Sequence, residues 1–422
     1  MADAPPHKLL SDTAYSYGAF ALMALTGALL NLFIAAGWGA AALGVFNQVY
    51  AAFVVLAQLA AFGLHDSTQR HVAEHIDHPD ELRPLIGSAL QLVTISGGLS
   101  AAVLWLASDW IGQLTDSPGV GEGLRWIVPG LGLFAINKVL LAVLNGQRRI
   151  RALALGQSLR FVVLGASVLA IGVLDRPSVQ LCAGFSIAEV ALLPVLLIGI
   201  RPPLRGSASW RARHLAFGAH ALPNGLLAES YLRVDVLMLS LFVDDAQVGT
   251  YSFATMFAEG LYQVGATIRT VVNPALVVPL IAGDRAKIRS LSRTAMALGL
   301  AAFVPVAGGV LLLLPWLAPW LGEELVTGAH EILWILSGGL LVYAAFVPVD
   351  HALLQAGLPG RQSGLMALNI CLNAALNLAL IPGLGIEGAA FATATAWALS
   401  AITLNLAVWR WLGLPWGLLG IR

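Results

Sequence analysis

The sequence predicts an all-α polytopic membrane protein, with about 12 transmembrane helices in two six-helix bundles around a central cavity. Three observations lead there. The chain is 58% hydrophobic and 11% charged, with a mean hydropathy of +0.81, whereas an average soluble domain carries about 25% charged residues. Apolar runs long enough to cross a bilayer, about 20 residues each, recur at 14–37, 43–63, 85–106, 124–144, 153–173, 179–200, 219–242, 248–281, 294–315, 331–354, 364–381 and 389–411. Lys and Arg gather in alternate connections between these runs, the asymmetry that orients membrane proteins.

With the first residues placed inside, the inner connections hold Arg70 and Arg83, then Arg148, Arg149 and Arg151. They continue with Arg201, Arg205, Arg211 and Arg213, and with Arg285, Lys287, Arg289 and Arg293. The outer connections are mostly acidic, with Asp109, Asp116, Asp175, Asp244, Asp245, Glu323 and Glu324. This pattern puts both termini in the cytoplasm. The polar inner connection after the sixth run, with Pro202, Pro203, Gly206 and Ser207, divides the chain into an N-terminal bundle (1–205), a cytoplasmic linker (206–218) and a C-terminal bundle (219–422). A short echo follows the division. Leu43-Gly44-Val45-Phe46 resembles Val248-Gly249-Thr250-Tyr251, and Leu144-Asn145-Gly146 resembles Gln355-Ala356-Gly357. Repeats of this kind in transporters place the substrate between halves.

Several function classes lose support. Lys+Arg and Asp+Glu both number 23, with no basic block of the kind nucleic-acid binders carry. The first apolar run, about 23 residues, exceeds the ~7–15 of a signal-peptide core and reads as a retained span. Gly383-Leu384-Gly385-Ile386-Glu387-Gly388 matches the dinucleotide pattern but lacks the preceding strand, so it reads as a tight outer turn. No phosphate-binding GxxxxGK[ST] loop occurs, which argues against a single-chain ATP-driven pump. Cys182 and Cys371 have no paired spacing and read as small core residues. The cluster His65, Asp66, Arg70, His71, Glu74, His75, Asp77 and His78 reads as a solvated, partly helical inner loop, not a metal site. Zinc needs three or four converging ligands. Asp244-Asp245 reads as an acidic turn. No cofactor, metal or catalytic residue is expected.

The charges inside apolar runs carry the functional expectation. A charge at bilayer depth costs ~2.5–3.5 kcal/mol on insertion scales, so such residues usually face a wet cavity or one another. Arg233 and Arg269 lie farthest from their run ends. Lys138 and Arg160 lie nearer theirs and have stems long enough to snorkel. Glu229, one turn before Arg233, is its expected partner, whereas Asp235 and Glu189 need partners from elsewhere. Arginine suits phosphate through its fork of donors. Arg233, Arg269, Lys138 and Arg160 are therefore the expected substrate-binding cations. Asp235, Glu189 and Glu259 are the expected ion-coupling carboxylates for a proton- or sodium-linked step.

Three stretches together resemble the polysaccharide-transport branch of the multidrug/oligosaccharidyl-lipid/polysaccharide flippase superfamily. The first is Leu43-Gly44-Val45-Phe46 leading to Phe62-Gly63-Leu64 and Arg70-His71-Val72-Ala73-Glu74. The second is Asp235-Val236-Leu237-Met238-Leu239 with Val248-Gly249-Thr250-Tyr251. The third is Leu376-Asn377-Leu378-Ala379-Leu380-Ile381-Pro382 with Gly385-Ile386-Glu387-Gly388-Ala389-Ala390. The resemblance implies alternating access by two six-helix bundles. It also implies a non-enzymatic flippase for an undecaprenyl-diphosphate-linked oligosaccharide in the bacterial inner membrane. That cargo would serve O-antigen (lipopolysaccharide), capsule or exopolysaccharide synthesis, alongside a polysaccharide polymerase and glycosyltransferases. A cation-coupled multidrug exporter of the same superfamily and a membrane polysaccharide polymerase or ligase are the rival readings.

Overall fold

The computed structural model describes residues 6–230, 233–414 and 417–418. The chain ends, expected inside, fall at 1–5 and 419–422, outside the described residues. Helices run in order: α1 (Pro6–Ala61), α2 (Leu64–Glu74), α3 (Pro79–Leu114), α4 (Pro118–Gly146), α5 (Ile150–Val173), α6 (Ala183–Ile200), α7 (Ala208–Ser230), α8 (Val234–Leu239), α9 (Asp245–Ala282), α10 (Arg285–Leu313), α11 (Ala318–Leu321), α12 (Glu323–Ala344), α13 (Ala352–Gln355) and α14 (Pro359–Leu412). The fold is all-α.

Nine helices among the described residues are long and apolar enough to cross a membrane. Two of them, α1 and α14, run 56 and 54 residues. At ~1.5 Å per residue each would exceed twice a ~30 Å hydrocarbon core, so neither can be one straight span. Each breaks at one glycine with positive φ, Gly39 (φ 79°) in α1 and Gly385 (φ 58°) in α14. Both divide where the sequence separates two apolar runs. Counting each broken helix twice gives eleven apolar crossings among the described residues, against about twelve expected.

Local chemistry explains the other boundaries. Ser117 caps α4 by accepting from the Val120 amide at 3.2 Å, and Pro118 opens the helix. The expected outer loop at 107–123 is therefore mostly helix, with α3 continuing to Leu114. Asp244 caps α9, accepting from the Gln247 amide at 2.8 Å, which accounts for the acidic turn.

Three expectations change. The seventh crossing is not one helix over 219–242. It is split into α7 and α8, so Glu229 and Arg233 do not share an unbroken helical turn. Within the tenth run, 331–354, α12 stops at Ala344, and a 3-10 turn over Val347–Val349 precedes α13. Cys182 is buried but Cys371 is exposed on α14, where a small thiol faces outward.

The chain divides into two compact units. One comprises residues 1–38 and 45–233, the other 39–44 and 234–422. In the first unit α4 packs on α2, α3 and α6, and α5 packs on α6. The Ser186 hydroxyl stitches α6 to α4, accepting from the Gly130 amide at 2.9 Å and donating to the Trp126 carbonyl at 2.7 Å. In the second unit α9, α10, α12 and α14 pack together, and α8 lies on α14.

Residues 206–218, expected as a linker, are mostly the start of α7 packed against α2 and α3. The Ser207 amide donates to Ser88 Oγ at 2.9 Å, and Trp210 Nε1 donates to Glu81 at 3.1 Å. At this corner His214 is fully enclosed, 0% exposed. Its Nε2 donates to the Leu85 carbonyl at 3.2 Å, so Nδ1 accepts from the Ser67 hydroxyl at 2.8 Å. Burial pushes its pKa down to about 4, against the opposing Leu85 hydrogen bond, and the His71 ring adds to the lowering. Above pH ~6.5 folded and unfolded chains are both neutral here. Between there and about 4 the unfolded chain takes up a proton that the folded chain refuses, so stability falls as pH falls. Thermal unfolding of the detergent-solubilised protein is expected to drop from pH 7 to 4.5, and to drop less in His214→Asn. Parallel curves would remove this role.

Candidate functional site

In the first unit, rings and cations form one continuous series. Tyr50 stacks on Phe185 at 5.5 Å, and Phe185 on Phe53 at 5.4 Å. Phe53 meets Phe134 edge-on at 5.4 Å. Such offset and edge contacts follow the ring quadrupole. Cations sit at both ends. The Arg233 guanidinium lies 4.9 Å from the Tyr50 centroid. The Arg160 guanidinium lies 4.6 Å, and Lys138 Nζ 5.7 Å, from the Phe134 centroid. Phe53 and Phe185 are buried and bridge the ends, while Tyr50 and Phe134 are half-buried. Three of the four expected cations thus belong to one arrangement within one unit.

Neither Lys138 nor Arg160 reaches outward along its stem as expected. Arg160 Nε lies 2.7 Å from Glu189 Oε1, and Nη2 donates to Oε2 at 3.2 Å. Glu189 is 2% exposed and also accepts from Asn137 Nδ2 at 2.8 Å. Two residues given separate roles therefore neutralise each other, because each charge would otherwise be stranded in apolar surroundings. Lys138 donates to the Gln58 side-chain amide oxygen, Oε1.

The second unit holds Arg269 on α9. Its Nη1 donates to both Asp350 oxygens, at 3.0 and 2.9 Å, and to the Tyr262 hydroxyl at 3.1 Å. Asp350 follows the 3-10 turn after α12 and is 7% exposed. Tyr343 donates to it at 3.3 Å, and His351 Nε2 stands 3.9 Å away. Sequence reasoning passed over Asp350. The signal available was a carboxylate two residues after Pro348 inside an apolar run, where the helix was free to break.

Asp235, at the start of α8, gathers four polar residues. It accepts from Asn377 Nδ2 at 2.7 Å, Thr393 Oγ1 at 2.6 Å and Tyr251 Oη at 3.1 Å. Asn373 joins by donating to Thr393 at 3.3 Å and accepting from Asn377 at 2.8 Å. Asn377 and Thr393 both lie on α14, beyond reach of a local reading around Asp235. The Asn377 amide oxygen is buried without a hydrogen-bond donor. Glu259 lies half-buried on α9 and acts electrostatically on Tyr251.

Among the described residues, no group of three or more His, Cys, Asp or Glu side chains is placed to hold a metal ion. His65, Asp66, Arg70, His71 and Glu74 of the inner histidine cluster lie on α2, with His71 donating locally to the Ser67 carbonyl at 2.7 Å, and His75, Asp77 and His78 follow it in the connection to α3.

A family model described as polysaccharide biosynthesis protein matches residues 76–325. The chain belongs to that family. It is similar to the probable low-salt glycan biosynthesis flippase Agl15 of Haloferax volcanii, at 23% identity over 88% of this chain and 77% of the relative. It is also similar to the probable flippase AglR of the same organism, at 24% identity over 94% and 82%. Among solved structures it matches the lipid II flippase MurJ in an inward closed conformation. That match has a TM-score of 0.79 and 14% identity, and covers 94% of this chain and 87% of the other. An inward-facing multidrug resistance transporter of the MOP superfamily matches with a TM-score of 0.65 and 15% identity, over 94% and 93%. The chain therefore has the fold of MOP transporters and is a multi-pass membrane protein.

Proposed function

We propose that the protein is a flippase that carries a lipid-linked oligosaccharide across the membrane by alternating access. The finer reading is an undecaprenyl-diphosphate carrier in a bacterial inner membrane, feeding O-antigen, capsule or exopolysaccharide synthesis. The flippase names of relatives similar over most of the chain support the reading. So does the chemistry of the first unit. Three cations at membrane depth, each over an aromatic ring, suit a cargo that is both anionic and sugar-bearing. A diphosphate needs cations and donors, whereas sugar faces rest well on rings. This series of rings and cations is the observation that carries the proposal.

The cations then take different parts. Arg233, between α7 and α8, is proposed to attract the diphosphate at the Tyr50 end of the ring series, with Lys138 in support at the Phe134 end. Arg160 and Arg269 would act by exchanging Glu189 and Asp350 for phosphate oxygen. Asp235 is proposed as the ion-coupling carboxylate. Donors from Asn377, Thr393 and Tyr251 hold its carboxylate in place, and the carboxylate with the unoccupied Asn377 amide oxygen gives hard oxygens that suit a proton or sodium ion better than a soft metal. Glu259 would assist from α9.

The test is export in a deletion strain. Arg233→Ala and Arg269→Ala are each expected to abolish surface polysaccharide while the protein still inserts. Lipid-linked repeat units would collect on the inner leaflet. Normal polysaccharide in both variants would remove their assigned role. Drug resistance on overexpression, with intact polysaccharide in the deletion strain, would favour an exporter instead.

A further inference from the structure

We propose that a cavity beside α2 in the first unit is a binding site for a zwitterionic phospholipid headgroup, phosphoethanolamine. The cavity holds about 270 Å³ and is lined by Asp66, Gln69, Arg70, Ala73, Asn145, Gly146 and Arg148. The α2 residues recur at i, i+3, i+4 and i+7, so one helix face supplies a carboxylate, an amide and a guanidinium. The opposite wall is the end of α4. There Gly146 allows backbone approach: a Cβ would stand 2.7 Å from the Gln69 carbonyl oxygen and 2.8 Å from Val72 Cβ.

Arg148 supplies the second guanidinium at a conformational cost. Its φ is 56°, left-handed, where a residue with a Cβ is strained. The helix ends in a motif in which the Arg149 amide bonds to the Leu144 carbonyl at 2.9 Å. The fourth crossing of the other half ends the same way, with the Leu358 amide on the Leu353 carbonyl at 2.9 Å, but its left-handed residue is Gly357. Glycine is the ordinary occupant. By these hydrogen bonds Arg148, and not Gly146 as the sequence echo aligned it, is the counterpart of Gly357; Asp116 and Asp175 take the same left-handed place at two other helix ends, but at Arg148 the strain puts a cation at a cavity wall, the direction of inference that backbone outliers license.

The charges suit a ligand with two signs. Arg70 and Arg148 offer donors to a phosphate. Arg70 donates through Nε to Glu74 at 2.8 Å and lies 5.4 Å from the Phe217 ring centroid, which leaves its Nη groups to donate to a phosphate. Asp66 and the negative end of the 29-residue α4 favour an ammonium. A purely anionic ligand would meet Asp66, and a purely cationic one would meet two arginines. The volume lies below the ~300–1,000 Å³ of drug-sized pockets, which fits a headgroup and excludes an oligosaccharide. The cavity also opens just past the ends of the apolar runs 43–63 and 124–144, at the depth where headgroups lie.

The test titrates the purified full chain in detergent with phosphatidylethanolamine, phosphatidylglycerol or phosphatidylcholine, read by native mass spectrometry. Phosphatidylethanolamine is expected to bind roughly tenfold tighter than either other lipid. Arg148→Gly is expected to lose that preference while melting at or above the wild-type temperature. Asp66→Asn is expected to shift preference to phosphatidylglycerol. Equal binding of all three lipids, or an unchanged preference in Arg148→Gly, would overturn the proposal. Loss of every lipid adduct together with a lower melting point in both variants would also count against it. Soluble O-phosphoethanolamine stabilising as strongly as the lipid would assign the site to a free phosphoamine and overturn the lipid assignment. No readout depends on transport.

Discussion

Asp350→Ala is expected to destabilise the protein by about 3 kcal/mol, the lower end of what breaking a buried ion pair costs. The lower end applies because Arg269 is partly exposed, at 18%, while Asp350 is enclosed at 8%. Without the carboxylate, Arg269 loses two hydrogen bonds, and the hydroxyls of Tyr262 and Tyr343 lose a shared acceptor. Arg269→Met in the same background is expected to recover most of the loss, since an apolar pair of similar volume carries no desolvation penalty. Thermal unfolding of the solubilised protein checks both. A single variant as stable as wild type would mean that solvent or lipid already satisfies the arginine. The double variant is expected to fold but not to export polysaccharide, which separates the pair's support of the fold from Arg269's proposed contact with cargo.

Asp235→Asn is expected to leave the fold nearly unchanged and to abolish gradient-driven export. The substitution keeps shape and one acceptor oxygen, and removes the charge on which Asn377, Thr393 and Tyr251 converge. The measurement is lipid-linked oligosaccharide transfer in proteoliposomes, with proton and sodium gradients imposed separately. Export in the variant at the wild-type rate under both gradients would take the coupling role away from Asp235.

The crossings were legible in the sequence because a bilayer imposes a length on apolar runs and charged loops mark where they end. Both signals survive without knowledge of packing. Helix breaks were less legible. Gly39 and Gly385 sit where the runs part, but the sequence from Ser230 to Leu239 has no Gly or Pro, so Glu229 and Arg233 looked like neighbours on one helix. The charged residues were found, but not their partners. Glu189 and Arg160 lie on different helices, and so do Asp235 and Asn377. Tyr50, Phe53, Phe134 and Phe185 carried no signal, because an aromatic residue in an apolar run is ordinary until its neighbours in space are known.

The division of α1 at a single glycine has a practical consequence. The first two crossings are joined with almost no chain to spare, so a reporter, epitope or protease site inserted at Gly39 would have to unwind helix on both sides. The stretch between Ile200 and Ala208 carries no such burden, since it is irregular in conformation. Leu204 and Ser207 hydrogen-bond there to Gln91 and Ser88 of α3, so a tag or protease site fits best just after Ile200, clear of those contacts.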